Sequence, residues 1–151
     1  MVETETIARL RGVIARIARE LNASATAEGL TPTQSSVLGL IAVRGPLGLT
    51  ELADLEGLNP TMLSRVVGKL TELELIRRHQ DPADLRAVRV EVTQKGKRLQ
   101  TRIRSQRTNA VAECLDRLPA ASAERLLAAL PALEELAEEL KKGHRPTGSR
   151  T

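Results

Sequence analysis

The chain has 151 residues, a formal net charge of +4 and no Phe, Tyr or Trp. This length is sufficient for one domain with a substantial core, which must be built from aliphatic side chains. Because nucleobases have no aromatic side chain on which to stack, the usual mode of binding single-stranded nucleic acid is excluded.

The positive charge is concentrated in the middle of the chain. Residues 60 to 107 contain twelve Lys or Arg and five Asp or Glu, whereas the remainder contains eleven and fourteen. A basic segment of this kind indicates a surface for a polyanion. The alternative is a scatter of solvated charges on helix faces.

The thiol and imidazole content indicates a reducing compartment and no metal chemistry. Cys114 is the single cysteine, so no intrachain disulfide can form. It lies in an apolar stretch, where we expect a small core residue rather than a redox switch. The two histidines, His79 and His144, lack ligand spacing, and neither a nucleophile elbow nor a phosphate loop is present. We therefore predict no metal, no cofactor and no enzymatic activity.

Neither a signal peptide nor a run of about 18 apolar residues is evident. We expect a cytoplasmic protein that does not bind membranes.

The first predicted helix spans residues 5–28, with an apolar stripe at helical spacing. The stripe consists of Ile7, Leu10, Ile14, Ile17 and Leu21. Gly29 ends this helix, and Pro32 behind Thr31 opens the next one. The second helix runs through TQSSVLGLIAVRG, with an inward face formed by Val37, Leu38, Ile41 and Ala42.

Two further helices are joined by a tight turn. A short helix is predicted from Glu51 to Glu56, with Thr50 as its N-cap and Leu52, Ala53 and Leu55 as packing positions. Gly57 turns the chain, Asn59 caps the next helix and Pro60 takes its first position. This pattern is typical of a helix-turn-helix.

After this helix, the spacing of apolar residues changes from that of helices to that of strands. Two extended runs, 76–80 and 87–92, flank the turn-prone DPADLR and predict a hairpin. A helix follows over 94–118, then a second one over 121–141 that Pro131 kinks or divides. We predict a mainly α fold in a single domain of residues 1–151, with a winged helix-turn-helix over 31–93 and a flexible tail over 143–151.

The helix that starts at Pro60 carries short polar groups on its first turns, where a major groove could admit it. Its candidate DNA contacts are Pro60, Thr61, Met62, Ser64, Arg65 and Lys69. Arg65 could bond two acceptors of one guanine. The alternative is an ordinary surface helix on which Arg65 pairs with Glu72.

The hairpin supplies a second set of candidate contacts. Arg86 at the tip could enter a minor groove, and Arg77, Arg78 and Arg89 are placed to contact phosphates. The alternative for Arg86 is a salt bridge to Asp81 or Asp84 that only stiffens the turn.

The run from Leu30 to Gly96 resembles the MarR family of bacterial transcription regulators. The resemblance rests on GLTPTQSSVLGLIAVRGPLGLTELADLEGLNPTMLSRVVGKLTELELIRR and on the wing DPADLRAVRVEVTQKG. It implies a homodimer held by helices 5–28 and 94–141, a palindromic operator, and repression relieved by a small ligand or by oxidation. It also implies an effector pocket between the dimerisation helices and the winged helix, for which Arg16, Ser35 and Arg44 are candidates.

The chain departs from the family pattern at two positions. Leu85 replaces a basic residue of the wing, and Glu74 replaces the usual glycine at the end of the fourth helix, which we therefore expect to end differently. An aromatic-free pocket should also bind flat drugs weakly.

We thus predict a sequence-specific DNA-binding transcription regulator, a homodimeric repressor with double-stranded DNA and a small-molecule effector as its partners. Two alternatives remain open. One is a winged-helix protein-interaction module, and the other is a sequence-independent DNA-binding protein.

Overall fold

The computed structural model describes residues 1 to 143, which form seven helices and a three-stranded antiparallel sheet. In chain order the elements are α1 (Thr4–Ala27), α2 (Pro32–Arg44), β1 (Leu47–Gly48), α3 (Leu49–Glu56), α4 (Pro60–Glu72), β2 (Ile76–Asp81), β3 (Asp84–Val92), α5 (Gln94–Arg117), α6 (Ala120–Ala128) and α7 (Leu130–Gly143). Gly143 ends α7, and the rest of the predicted tail, with His144, lies outside the described residues. The predicted mainly α winged helix-turn-helix is confirmed.

The wing contains one strand more than the sequence predicted. β3 is the central strand, β2 pairs with one of its edges, and the two-residue β1 pairs with the other edge through Leu47 opposite Val90. A strand of two residues has too little alternation to be detected from sequence. Pro131 divides the predicted last helix, because α6 ends at Ala128 and α7 begins at Leu130.

The start of α3 differs from the prediction. The N-cap is Gly48 and makes no side-chain cap, so the assignment of Thr50 as N-cap is wrong. The chain enters α3 directly from β1. The pairing of β1 with β3 therefore sets the direction in which α3 begins. Leu52 and Ala53 are buried as predicted, but 43% of Leu55 is exposed, so Leu55 is not a packing residue.

The core of the winged helix is aliphatic, as the composition requires. Its fully buried large side chains are Val37, Leu38, Ile41, Leu52, Val67, Leu70, Ile76 and Val90. They come from α2, α3, α4 and the sheet. Burial of each such side chain contributes about 1.5–3 kcal/mol, so this cluster holds the helix-turn-helix and the wing as one structure.

The exit of α4 keeps the shape that a glycine would give, although Glu74 occupies the position. Glu74 has a left-handed backbone with φ of 60°. Its amide donates to the Thr71 carbonyl at 2.9 Å, and the Leu75 amide donates to the Leu70 carbonyl at 2.9 Å. This is a Schellman motif, so the expectation of a different helix end is wrong.

The exit of α4 is joined directly to the start of α5. The Thr93 hydroxyl donates to the Glu74 carbonyl at 2.7 Å and accepts from the Gly96 amide at 3.0 Å. A Cβ on Gly96 would lie 2.1 Å from the Leu75 carbonyl oxygen. The Thr-x-x-Gly motif therefore allows two backbones to meet where no side chain fits.

The chain divides into two compact units, residues 1–108 and a second unit that begins at Asn109. In the second unit, α6 and α7 bury no residue, and Leu126, Leu127, Leu130 and Leu140 are each about half exposed. In the first unit, Ile7, Leu10, Ile14 and Ile17 of the predicted stripe are 40–53% exposed. Among the described residues, no helix is long and apolar enough to cross a membrane.

Candidate nucleic-acid interface

The two helices of the helix-turn-helix are joined by a short turn that exposes the start of α4. Gly57 caps α3 in the left-handed conformation with φ of 65°. Asn59 then caps α4, its Oδ1 accepting from the Met62 amide at 2.8 Å, and Pro60 occupies the first turn. These contacts confirm the predicted start of α4.

One side of α4 packs on the core and the other faces solvent. Leu63, Val67 and Leu70 are buried. The predicted contacts Pro60, Thr61, Met62, Ser64, Arg65 and Lys69 are all exposed. The first turn carries no acidic residue, so the positive end of the helix dipole is not neutralised there. An anion can therefore approach the amides of this turn.

The Arg65 side chain has no hydrogen bond or ion pair to any described residue. The sequence left open a pairing with Glu72, but Glu72 lies 3.8 Å from Lys69 instead. Lys69 is thus partly engaged within its own helix, at a distance where an exposed pair is weak. The Arg65 guanidinium keeps all five donors for a ligand.

The wing tip is shaped by two aspartates and leaves the Arg86 side chain free. Asp81 Oδ1 accepts from the Ala83 amide at 2.9 Å, and Asp84 Oδ1 accepts from the Arg86 amide at 3.0 Å. The contact of Asp84 is with the backbone of Arg86, so no described acid holds the guanidinium. Beside it, 70% of the Leu85 side chain is exposed.

The outer face of the wing carries cations that are already paired. Arg77 donates to the carboxylate of Glu91, opposite it on β3, and His79 Nδ1 lies 4.0 Å from the same carboxylate. The hydrogen bond from Arg77 holds the pKa of Glu91 below its ordinary value of 4.5. Arg89 contacts Asp81 and the Pro46 carbonyl. Arg77 and Arg89, both predicted as DNA contacts, therefore have partners within the chain.

Arg78 lies on the other side of β2 and is free. It pairs across the sheet with Val90, and its side chain has no ion pair or hydrogen bond to any described residue. Its side chain lines a cleft of about 240 Å³ with Pro60 and Ser64 of α4. Strand alternation places it toward α4. Arg65, Arg78 and Arg86 are thus the arginines of α4 and the wing whose guanidinium groups have no partner in the described part of the chain.

A second cleft, of about 440 Å³, lies within the first unit between α2 and α5. Ser35 lines it, whereas Arg16 and Arg44 are exposed and do not. The cations of the cleft are Arg104 and Arg107. Arg107 donates to the Leu21 carbonyl at 3.1 Å and to Ser35 Oγ at 3.3 Å. The spacing of Gln100, Ile103, Arg104 and Arg107 on one helix face could have identified this lining.

Cys114 does not lie in the core of the single chain. Its side chain is exposed, and Arg117 Nη2 donates to its sulfur at 3.3 Å. The expectation of a small core residue is therefore wrong, because no other described segment covers this part of α5.

Comparisons with known proteins give a match to one family model and a shared fold. Residues 30–88 match the model of the MarR family. The chain is 25% identical to RV1404 of Mycobacterium tuberculosis, with a TM-score of 0.76 over 89% of this chain and 94% of that one. It is 24% identical to the transcriptional regulator Tm0710 of Thermotoga maritima, with a TM-score of 0.73 over 93% and 99% of the two chains.

A mutant of S. aureus MepR bound to an oligodeoxyribonucleotide also shares the fold. It is 18% identical, with a TM-score of 0.68 over 89% of this chain and 99% of that one. No curated protein sequence matches the chain.

Proposed function

We propose that the chain is a transcription regulator of the MarR family that binds a palindromic DNA operator as a homodimer. The match of residues 30–88 to the family model and the shared fold support this proposal. α4 enters the major groove by its N-terminal end, and the wing tip reaches the adjacent minor groove. Arg65 bonds a base edge, Arg86 enters the minor groove, and Arg78 contacts the backbone between them.

The observation that carries this proposal is the exposed first half of α4. It combines an acid-free first turn, short polar side chains and an arginine with no described partner. Short side chains permit close approach to base edges, and the free guanidinium can bond two acceptors of a guanine. The neighbour that shares this fold was solved bound to an oligodeoxyribonucleotide, which supports DNA as the ligand.

The apolar surface that the single chain leaves exposed supports the homodimer. The stripe of α1 and the leucines of α6 and α7 form exposed apolar surface in the two units, and surface of this kind marks an interaction site. A two-fold dimer would present two copies of α4 and would therefore bind a palindromic operator with half-sites about one helical turn apart.

The effector is a small molecule that binds the cleft between α2 and α5 and relieves repression. Arg104 and Arg107 there suit an acidic group, and the absence of aromatic side chains disfavours flat drugs. The protein is non-enzymatic and acts in the cytoplasm, where its DNA is found.

A variant of Arg65 tests the role of α4. Binding is measured to a labelled duplex from the region upstream of the gene and to a random duplex of equal length. Arg65→Ala should weaken binding to the first by about 5- to 150-fold, equivalent to about 1–3 kcal/mol, and change binding to the second much less. Lys69→Ala, on the same helix, is the control and should weaken both alike. Equal losses in the two variants would refute the assignment.

The same titrations separate the alternatives. For wild type, the logarithm of affinity should fall with the logarithm of salt concentration by about 0.9 per neutralised phosphate. Equal affinity for both duplexes would indicate sequence-independent binding. No binding to either duplex would favour a protein-interaction module.

A further inference from the structure

Arg89 lies at the centre of the wing and is bonded to protein on both sides. Its Nη2 donates to the Pro46 carbonyl at 2.8 Å, and its Nη1 lies 3.5 Å from Asp81 Oδ2. Its Nε is buried and has no partner within the described part of the chain. The guanidinium thus connects the segment before β1 with the end of β2.

We propose that Arg89 is a positioning residue that fixes the wing relative to the helix-turn-helix and does not contact DNA phosphate. The proposal deepens the proposed function and rests on it, since it concerns how one surface presents Arg86 and Arg65 together. It replaces the phosphate contact that the sequence predicted for Arg89.

Apart from the buried core and the Thr93 contacts, the backbone ladder that joins the wing to the segment before α3 is short. β1 contributes two residues, Leu47 and Gly48, opposite Val90 and Arg89 of β3. Gly48 is also the N-cap of α3, so the Pro46 carbonyl stands just before the helix-turn-helix. The hydrogen bond from Arg89 to this carbonyl extends the short ladder beyond its two residue pairs.

On its other side, Arg89 spans an irregularity of the hairpin. The register of β2 and β3 shifts between Gln80 and Asp81, where the regular ladder is interrupted. Asp81 shapes the tip through the Ala83 amide and also pairs with Arg89. The pair therefore holds the base of the Arg86 turn across the point where backbone pairing weakens.

A phosphate contact requires a cation that can turn toward the DNA. The Arg89 side chain is only 37% exposed and has two protein acceptors. Arg78, on the neighbouring strand, has the same charge but no described partner, which makes it the matched control. Lysine in place of Arg89 retains the charge but lacks the planar fork that reaches two acceptors at once.

The experiment compares Arg89→Ala, Arg89→Lys, Asp81→Asn and Arg78→Ala in the full chain, with the labelled upstream duplex, over a range of salt concentrations. In Arg78→Ala, the slope of the logarithm of affinity against the logarithm of salt concentration should be smaller by about 0.9 for each phosphate that the arginine neutralises in wild type. Arg89→Ala should weaken binding about tenfold, as removal of a charged hydrogen bond implies, with the wild-type slope. Arg89→Lys should not restore the affinity.

Asp81→Asn is the decisive variant. It removes a negative charge from the DNA-facing hairpin, so a purely electrostatic view expects tighter binding. If Arg89 positions the wing, Asp81→Asn should weaken binding by about as much as Arg89→Ala does. The variant that combines the two substitutions should then bind no more weakly than either one alone. Restoration by lysine, a reduced slope in Arg89→Ala, or unchanged or tighter binding by Asp81→Asn would overturn the proposal.

Amide hydrogen exchange of the free protein gives a readout that does not depend on DNA. Exchange in residues 77–92 should be faster in Arg89→Ala and Asp81→Asn than in wild type and Arg78→Ala. Faster exchange in these two variants, together with no DNA binding by wild type, would support the positioning role of Arg89 and refute the regulator function. Exchange that is the same in these variants as in wild type would refute the positioning role of Arg89, whether or not the protein binds DNA.

Discussion

At the scale of single residues, Glu74 is held in a conformation that glycine adopts at lower cost. Its φ of 60° is required by the Schellman motif that ends α4. A side chain with a Cβ is destabilised in this left-handed region. The residue therefore reduces stability at the exit of the helix that we assign to the major groove.

Glu74→Gly should raise the free energy of unfolding by about 0.5–1 kcal/mol, because glycine removes the steric cost. Urea unfolding should show a higher midpoint with an unchanged slope. Glu74→Ala serves as the control, since it also removes the exposed pair with Lys95 at 3.9 Å but keeps a Cβ. A gain in the alanine variant as large as in the glycine variant would contradict the explanation.

The pair of Arg77 and Glu91 should make stability depend on acid pH. A carboxyl whose pKa is lowered in the folded chain contributes stability above its unfolded pKa, and this is lost as pH falls through the folded value. The urea midpoint of wild type should thus fall more steeply than that of Glu91→Gln as pH falls below about 4.5, the ordinary pKa of a glutamate.

Arg77→Ala should flatten the same profile, because the hydrogen bond from Arg77 is the main cause of the lowered pKa. Profiles of the two variants that run parallel to wild type would show that this pair does not contribute to acid unfolding.

The candidate DNA residues could be found from the sequence, but their partners could not. Exposure of Thr61, Ser64 and Arg65 follows from helical spacing opposite a buried stripe. The contact of Arg89 with the Pro46 carbonyl joins residues 43 positions apart. It depends on β1, which is too short to produce a pattern, so free and engaged arginines look alike in the sequence.

At the scale of elements, the junction of α4, β3 and α5 is sterically closed. The position of a Gly96 Cβ is occupied by the Leu75 carbonyl, with Val92 Cγ2 at 2.8 Å. Backbone atoms cannot rotate away as side chains do. The start of α5 must therefore shift if any other residue replaces Gly96.

Gly96→Ala should destabilise the protein by about 1–3 kcal/mol, as expected for overpacking, measured by thermal or urea unfolding. Gly68→Ala in α4 is the control, since a Cβ there meets nothing within 4 Å. It should be neutral or stabilise by up to about 1 kcal/mol. Similar effects in the two variants would show that the close approach at Gly96 is not what limits substitution.

The helices themselves can be predicted because their end signals are strong. Asn59 followed by Pro60 starts α4 as the sequence predicts, and Thr93 accepts from the Gly96 amide at the start of α5. The start of α3 cannot be predicted in this way. Its N-cap, Gly48, is held in place by pairing with Arg89 on a strand that is distant in the sequence. Helix caps formed by neighbouring residues can be found in a sequence, whereas caps that depend on contacts with distant segments cannot.

At the scale of the whole molecule, the single chain leaves much apolar surface in contact with water. The α1 stripe is predicted from its spacing, but no described segment of the first unit covers it. Sequence periodicity detects such a face and cannot tell whether the same chain or a second copy buries it. Here the exposure of Ile7, Leu10 and Ile14 supports a second copy.

Ile14→Glu should shift the proposed homodimer toward monomer, because a charge on the stripe cannot be buried without a partner. Sedimentation equilibrium measures the change as a dimer dissociation constant raised by at least about tenfold. Ala8→Glu adds the same charge to the exposed opposite side of α1 and should leave the mass unchanged. A wild-type protein that sediments as a monomer would contradict the proposed assembly itself.

The backbone contact between Leu75 and Gly96 also bears on how a signal from the cleft could travel. Arg107 and Arg104 belong to the same helix as Gly96, and the Leu75 carbonyl belongs to the exit of α4. A tilt of α5 at its beginning pushes on that peptide group, with no rotamer change available to absorb it. If the cleft binds an effector as we propose, this route to α4 runs through backbone alone, and changes in the side chains that line the cleft would leave it intact.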